Sequence, residues 1–309
     1  MNVLVTGSSG QIGTNVGLAL MKRGDGVVGI DNRDNTWTDR LDTVKLDLAR
    51  AKMDDLPDGS RFDMVLHFAA HAKVFELVEH PERAMENITM LFTVLDYCRR
   101  NKLPIVFSSS REVYGDIIQH VTDEHSADFV VAESPYSASK IAGEAMIYSF
   151  AQCYKLPFLV FRFSNVYGRY DNDLERMERV IPLFMDRIAR EQPITVYGKE
   201  KVLDFTYVDD CVAGVLAGID ALASGAIDGQ TVNLASGGGS TLVDLVNILS
   251  LALGTKPQTT LEPSRPGEVT RYVADITKAR NLLGYDPQTP FTSGLIKAIE
   301  WSRSVGAIP

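Results

Sequence analysis

Val3-Leu4-Val5-Thr6-Gly7-Ser8-Ser9-Gly10-Gln11-Ile12-Gly13 opens the chain with a short β-branched run and then three glycines spaced three apart. Residues from Thr14 to Arg23 carry helical periodicity, so the stretch reads as strand, tight turn and helix. Glycine at 7, 10 and 13 lets a backbone turn sharply, approach a pyrophosphate and pack a helix against the preceding strand. The helix N-terminus adds N–H donors and a partial positive charge. The spacing is GxxGxxG, not the GxGxxG of the usual dinucleotide fingerprint, and an ordinary glycine-rich turn looks the same in isolation.

Working outward, a second β-branched run, Val27–Asp31, ends in a carboxylate 18 residues beyond Gly13. That is close to the roughly 20-residue offset at which an acidic side chain accepts hydrogen bonds from an adenosine ribose. A carboxylate there repels a 2′-phosphate and favours NAD over NADP, although Arg33 is a side chain of the kind that accommodates such a phosphate. Asp47-Leu48 falls where a third strand would end and suits either an adenine edge or a solvated turn. Further runs at Val65–Ala69, Ile105–Ser109 and Leu159–Phe163 alternate with helical stretches. One of these carries Met85, Ile88, Phe92, Leu95 and Cys98 after Pro81, and another follows Tyr136.

This alternation predicts an α/β fold with a Rossmann-type doubly wound parallel sheet. Beyond Gly168 the pattern loosens into a polar stretch from Asp171 to Arg179, a helix near Ile181–Arg190 and a strand at Ile194–Tyr197. Phe205–Val208 and Thr231–Leu234 are expected to return to the sheet as strands. The expected organisation is a dinucleotide-binding domain at 1–167 plus 205–235, with a smaller, discontinuous C-terminal substrate-binding lobe at 168–204 plus 236–309.

The 309 residues are 45% hydrophobic and 23% charged, an ordinary globular composition. A net charge of −9 with no Lys/Arg-rich run argues against nucleic-acid or anionic-membrane partners. Any anionic ligand must then be caught by local groups. Cys98, Cys153 and Cys211 are far apart and show no CxxC spacing, so neither a metal site nor a disulfide framework is expected. No apolar run reaches the roughly 18 residues of a bilayer span, and the first strand leaves no room for a signal peptide, so the expected location is cytoplasmic.

Tyr136-Ser137-Ala138-Ser139-Lys140 opens the helix after the apolar strand Ile105-Val106-Phe107, which itself ends in Ser108-Ser109-Ser110. Residues i and i+4 share a helix face, so the Lys140 ammonium is placed near the Tyr136 phenol. A phenol titrates near 10, and a tyrosine that works as a base near neutrality needs adjacent positive charge. A hydroxyl at the carboxyl end of a strand falls where ligands bind in open α/β sheets, and a serine there can share a substrate proton with the tyrosine. Surface residues and a serine-rich turn give the same pattern when each motif is taken singly.

Together these motifs resemble the extended short-chain dehydrogenase/reductase family of NAD-dependent sugar epimerases and dehydratases, closest to its 4-epimerases. The resemblance spans nearly the whole chain: Gly7-x-x-Gly10-x-x-Gly13, Asp31-Asn32, Asp47-Leu48, His67-Phe68-Ala69-Ala70, Asn87, Ser108-Ser109-Ser110, Val113-Tyr114-Gly115, Tyr136-x-x-x-Lys140, Arg162-x-x-Asn165-Val166-Tyr167-Gly168, Asp204-Phe205-x-Tyr207-Val208-Asp209-Asp210 and Arg265-Pro266-Gly267-Glu268. It implies a catalytic set of Ser110, Tyr136 and Lys140, with Glu112 beside them. It implies NAD contacts from Gly7, Gly10, Gln11, Ile12, Gly13, Asp31, Asn32, Asp47, Leu48, Phe68, Ala69, Ala70, Asn87, Ser108, Tyr136, Lys140 and Phe163. For a nucleotide-diphosphate sugar, a UDP-hexose by resemblance, it implies contacts from Ser110, Arg111, Tyr136, Asn165, Val180, Val196, Tyr197, Arg265 and Tyr272. Arg265 suits a diphosphate, since a guanidinium fork matches phosphate oxygens, or else forms a rim ion pair. A homodimer through the helices near 81–100 and 137–154 is also implied.

The reaction turns on Ser110-Arg111-Glu112. In the related 4,6-dehydratases the two residues after the hydroxyl resemble Asp-Glu, and in the uronate decarboxylases Ser-Glu. Glu112 matches these eliminating enzymes, but a guanidinium at 111 cannot act as the dehydratase general acid. The expectation is therefore 4-epimerisation of the UDP-glucose/UDP-galactose type, with 4,6-dehydratase or UDP-glucuronate decarboxylase or epimerase chemistry as the alternative. A carbonyl reductase and a non-catalytic dinucleotide sensor fit the residues less well. Two departures bear on the substrate: Leu203 stands where relatives carry a phosphate-contacting arginine, with Lys201 nearby, and Tyr272 stands where the family gates 2-acetamido sugars.

Overall fold

The computed structural model describes residues 1–115, 124, 132–175, 178–265 and 267–309, so Pro266 and residues 176–177 of the polar stretch lie outside the described residues. In chain order the elements are β1 (Asn2–Thr6), α1 (Gln11–Lys22), β2 (Gly26–Asp31), β3 (Thr43–Lys45), β4 (Met64–His67), α2 (Val74–Glu79), α3 (Glu82–Asn101), β5 (Ile105–Ser110), α4 (Pro135–Tyr154), β6 (Phe158–Phe163), β7 (Asn165–Tyr167), α5 (Val180–Ala189), β8 (Ile194–Tyr197), β9 (Val202–Tyr207), α6 (Val208–Ala223), β10 (Gln230–Leu234), β11 (Gly239–Thr241), α7 (Leu242–Leu253), β12 (Thr259–Glu262), β13 (Arg271–Tyr272), α8 (Thr277–Leu283) and α9 (Phe291–Ser304). No helix among the described residues is long and apolar enough to cross a membrane.

Seven strands form one parallel sheet in the order β3-β2-β1-β4-β5-β6-β10. Its inner strands are apolar runs buried on both faces, as β4 and β6 are at every position, which is the pattern of a parallel sheet covered by helices on both sides. The chain runs from β1 outward to β3 and then crosses back to β4 on the other side of β1. This leaves a crevice at the carboxyl ends of β1 and β4, the point where ligands enter such sheets.

The expected return of Phe205–Val208 to this sheet does not occur. β9 is the centre of a smaller sheet, antiparallel to β11 and parallel to β13 and β7, and Val208 already begins α6. The free edge of β6 is taken instead by β10, which pairs Gln230–Leu234 with Leu159–Phe163, so Thr231–Leu234 returns as expected. Asp204 of β9 is fully buried and accepts N–H bonds from Ser236, Gly237 and Ala274 at 2.9, 2.9 and 3.3 Å, tying the small sheet to the chain that leaves β10.

A buried charge pair fastens α4 to the main sheet. Arg162 of β6 donates to both carboxylate oxygens of Glu144 on α4 at 2.9 and 2.7 Å, and Ser109 of β5 donates to the same carboxylate at 2.5 Å. The other guanidinium nitrogen donates to the Tyr114 hydroxyl at 2.9 Å, and that hydroxyl donates to Asn233 of β10 at 2.8 Å. The two charged side chains are 4% and 1% exposed, so removing either one strands its partner away from water. Glu144→Ala is expected to lower unfolding free energy by about 3–5 kcal/mol, read by urea titration. A loss below about 1 kcal/mol would show that the pair is not the fastening described.

Candidate active site

A cleft of about 440 Å³ follows the carboxyl edge of the main sheet, and both the glycine loop and the serine-tyrosine-lysine set open into it. In the loop, Gly7 has φ +73°, and a Cβ there would lie 2.6 Å from the Ala69 backbone nitrogen. A Cβ on Gly13 would lie 2.1 Å from the Gly7 carbonyl oxygen, so the turn closes only with glycine at both places. Gly10 caps α1 in extended conformation without a side-chain bond, and the first helical turn holds no acidic residue. Its first N–H groups are thus directed at any anion in the cleft.

At the end of β2, the Asp31 carboxylate accepts from the Ser9 and Arg33 backbone N–H groups at 2.9 and 3.2 Å. The Arg33 guanidinium donates to the Ser9 carbonyl at 2.5 Å and pairs with Asp173 at 3.5 Å. Gln11, Ile12, Asn32, Asp47, Leu48, Phe68, Ala69, Ala70, Ser108 and Phe163 also line the cleft. An uncapped helix start beside a carboxylate at the second strand end fits a dinucleotide with a free ribose 2′-hydroxyl, which is NAD.

Ser134 and Pro135 set the start of α4, where the Ser134 hydroxyl accepts the Ser137 N–H at 3.1 Å and Pro135 occupies the first turn. This aims Tyr136 at the end of β5, where the Ser110 hydroxyl stands near the phenol and favours its ionised form. One turn on, the Lys140 ammonium donates to the Ser108 carbonyl at 2.7 Å and lies 5.7 Å from the centre of the Tyr136 ring. Burial pushes the phenol up to about 12, an effect that the Ser110 hydroxyl, Arg179 and Arg111 oppose and that Glu112 reinforces. Burial also pulls the Lys140 amine down to about 8, against the attraction of Glu144. Lys140 alone therefore does not bring the phenol toward neutrality, because both groups have lost their hydration. Below them His67 is neutral, held down to about 3 by burial and by Lys140, and shares a 2.7 Å bond with Thr6.

The turn after Ser110 places Arg111 and Glu112 in the cleft wall as an ion pair at 2.8 Å. The guanidinium lies 5.8 Å from the Tyr272 ring centre, and its Nη1 is buried without an acceptor among the described residues. Opposite, Asn165 donates to the Asp204 carbonyl at 3.0 Å and lines the cleft with Val180 at the start of α5. Arg265 enters between two aromatic rings, 4.1 Å from Tyr197 and 5.3 Å from Phe75, with no carboxylate partner among the described residues. Lys201 is buried against Glu268 at 2.5 Å, so its charge is already neutralised where a phosphate anchor is missing at Leu203.

Four expected contacts do not face the cleft. Asn87 is buried behind it, bonded to both backbone groups of His71 and to Ser139, and so braces the wall. Val196 is fully buried in β8, which turns its side chain into the lobe core. Tyr197 acts through Arg265, whose guanidinium it flanks. Tyr272 is fully buried because β13 pairs with β9, and its ring stacks on Tyr114 at 5.9 Å, so it stands behind Arg111 and outside the cleft lining. Conversely, Trp37, Phe75, Tyr170, Asp171 and Arg179 line the cleft without having been expected there. None stands in a motif whose spacing carries chemistry.

Residues 3–235 match the model of the NAD dependent epimerase/dehydratase family. UDP-glucuronate 4-epimerase 1 of Arabidopsis thaliana is 35% identical over 335 residues, covering 98% of this chain and 77% of the plant protein. An uncharacterized UDP-glucose epimerase of Bacillus subtilis (strain 168) is 30% identical, with 99% of each chain covered. Among solved structures, UDP-glucose 4-epimerase from Thermotoga maritima with UDP-glucose aligns at a TM-score of 0.90 and 28% identity over 99% of each chain. UDP-glucuronic acid 4-epimerase from Bacillus cereus, in complex with UDP-glucuronic acid and NAD, aligns at 0.89 and 26% identity over 99% of this chain and 100% of that one. With the glycine cradle and the serine-tyrosine-lysine set already in place, the match over most of the chain settles its kinship: it belongs to the NAD-dependent epimerase/dehydratase family.

Proposed function

We propose that the protein is an NAD-dependent 4-epimerase of UDP-hexoses, of the UDP-glucose/UDP-galactose type. The observation that carries this is the Tyr136 phenol, beside Ser110 and one helical turn from Lys140, in a cleft that also contains an uncapped helix N-terminus. NAD, held along the glycine loop, would accept the sugar's C4 hydride and return it to the other face of the 4-keto sugar, and its positive ring would be the second cation that a buried phenol needs. Tyr136 then removes the proton from the sugar 4-hydroxyl, Ser110 orients that hydroxyl, and Lys140 holds positive charge beneath the phenol. Asn165 and Arg265 hold the diphosphate while the 4-keto sugar turns its other face, and the 168–204 and 236–309 segments, the second of which carries Arg265, form the nucleotide-sugar half of the cleft.

Epimerisation is favoured over dehydration or decarboxylation because Glu112 is already paired with Arg111, and a guanidinium releases no proton at working pH. A second reading, UDP-glucuronate as the sugar, is favoured by one feature: the buried Arg111 Nη1 without an acceptor, beside the catalytic tyrosine. The exposed apolar residues Met85 and Phe92 on α3 and Tyr148 and Tyr154 on α4 support a homodimer through these two helices.

Incubation with UDP-glucose, UDP-galactose, UDP-glucuronate, UDP-GlcNAc and dTDP-glucose, followed by NMR and mass spectrometry, tests the reaction. Unchanged mass with an inverted C4 signal is expected, whereas loss of water or of carbon dioxide would replace the proposal. Tyr136→Phe should slow turnover about 10²–10⁴-fold and still bind NAD. Lys140 titrates near 10.5 when unfolded and near 8 when folded, so between these values the unfolded chain holds more protons and stability rises with pH. Relative to Lys140→Met, the parent is expected to gain thermal stability from about pH 8 to about pH 10.5. A flat difference across that range contradicts the buried amine. Light scattering should find a dimer that Phe92→Glu converts to monomer, and a monomeric parent rules the dimer out.

A further inference from the structure

The glycine loop meets a dinucleotide's two negative charges with backbone N–H groups alone, since residues 7–13 include no basic side chain. Across the cleft stands a polar cluster that the chemistry above leaves unused. Arg179, the residue before α5, reaches over to α1, where it donates to the side-chain carbonyl of Gln11, the first helical residue. The same guanidinium nitrogen donates to Asp171 at 3.0 Å. All three residues line the cleft, with the Asp171 side chain 8% exposed and that of Arg179 33% exposed.

This cluster is incomplete. The Gln11 amide nitrogen is buried without an acceptor, and Asp171 Oδ2 is buried without a donor, among the described residues. A buried donor left unmade costs about 1–3 kcal/mol, so such an atom in a ligand cleft marks a place where a ligand supplies the partner. The unfilled donor sits on the first residue of a helix whose own N–H groups are uncapped, and the Arg179 guanidinium is held by a bond to that same residue. An acceptor-rich anion at the start of α1 satisfies all of them together.

We infer that Arg179 and the Gln11 amide form a second clamp on the diphosphate of NAD, supplied across the cleft from outside the glycine loop, with Asp171 holding the guanidinium in place. The inference rests on the NAD half of the reading above and is independent of which sugar is turned over.

The test is NAD binding to nucleotide-free protein, followed by calorimetry, with UDP titrated in parallel. Arg179→Gln is expected to weaken NAD binding roughly 10- to 100-fold, Arg179→Lys to restore part of it, and UDP affinity to stay unchanged. The parent's NAD affinity should also fall more steeply with salt than the variant's. Unchanged NAD affinity in Arg179→Gln overturns the inference, as does a loss of UDP affinity with NAD affinity intact, which would assign the guanidinium to the nucleotide sugar. Should Arg179→Gln lack a cooperative melt, Gln11→Leu serves instead, with weaker NAD binding expected and unchanged binding overturning the proposal. Failure of the 4-epimerase reading would appear only in the product panel, and so stays separate from this outcome.

Discussion

The contact on which the site depends is the ion pair between Glu144 and Arg162, sealed between α4 and the main sheet. Its members come from a helix and a strand, and their remaining bonds recruit Ser109 from β5, Tyr114 from the following turn and Asn233 from β10. Glu144 lies one helical turn beyond Lys140 and two beyond Tyr136, on the same face. Fixing that carboxylate therefore fixes where the amine and the phenol stand against the end of β5. Ser109 and Ser110 are neighbours that face opposite ways, since alternation along a strand sends one hydroxyl to the buried pair and the next toward Tyr136 and the cleft.

Charge in the cleft is arranged by burial as much as by pairing. The same dry surroundings hold the Tyr136 phenol neutral and weaken the Lys140 ammonium, so neither group is primed by the protein alone. A cationic ring held beside them would shift the balance toward the phenolate. Arg111 and Arg179 both favour the phenolate and Glu112 opposes it, which makes the turn after Ser110 a tuning element as well as a wall.

Much of this was legible in the residues because it depends on local geometry. Of the three glycines after the β-branched run, those at 7 and 13 define a turn that no other residue fits, and a tyrosine four residues before a lysine on a helix must share its face. The strand at Phe205–Val208 was misplaced because an apolar run shows that it is buried, but not which sheet buries it. Tyr272, Val196 and Asn87 carried family positions, yet strand pairing and a backbone bond turn their side chains away from the cleft. Arg179 left no signal, since a lone arginine in a polar stretch acquires meaning only when folding sets it against Gln11.

The placement of β10 shapes how the molecule can be made. Its partner β6 ends at Phe163, and the residues of β7, β8, β9 and α6 must all be synthesised before Gln230–Leu234 can lie down beside Leu159–Phe163. During synthesis the edge of β6 therefore stays open until residues 230–234 have been made, and an open parallel edge is the kind of surface on which nascent chains stick to one another. Closing it is a late, long-range event of the type that slows folding of parallel sheets. Asp204, buried in β9 and gripping the residues just past β10, rewards that closure with the bonds that finish both sheets at once.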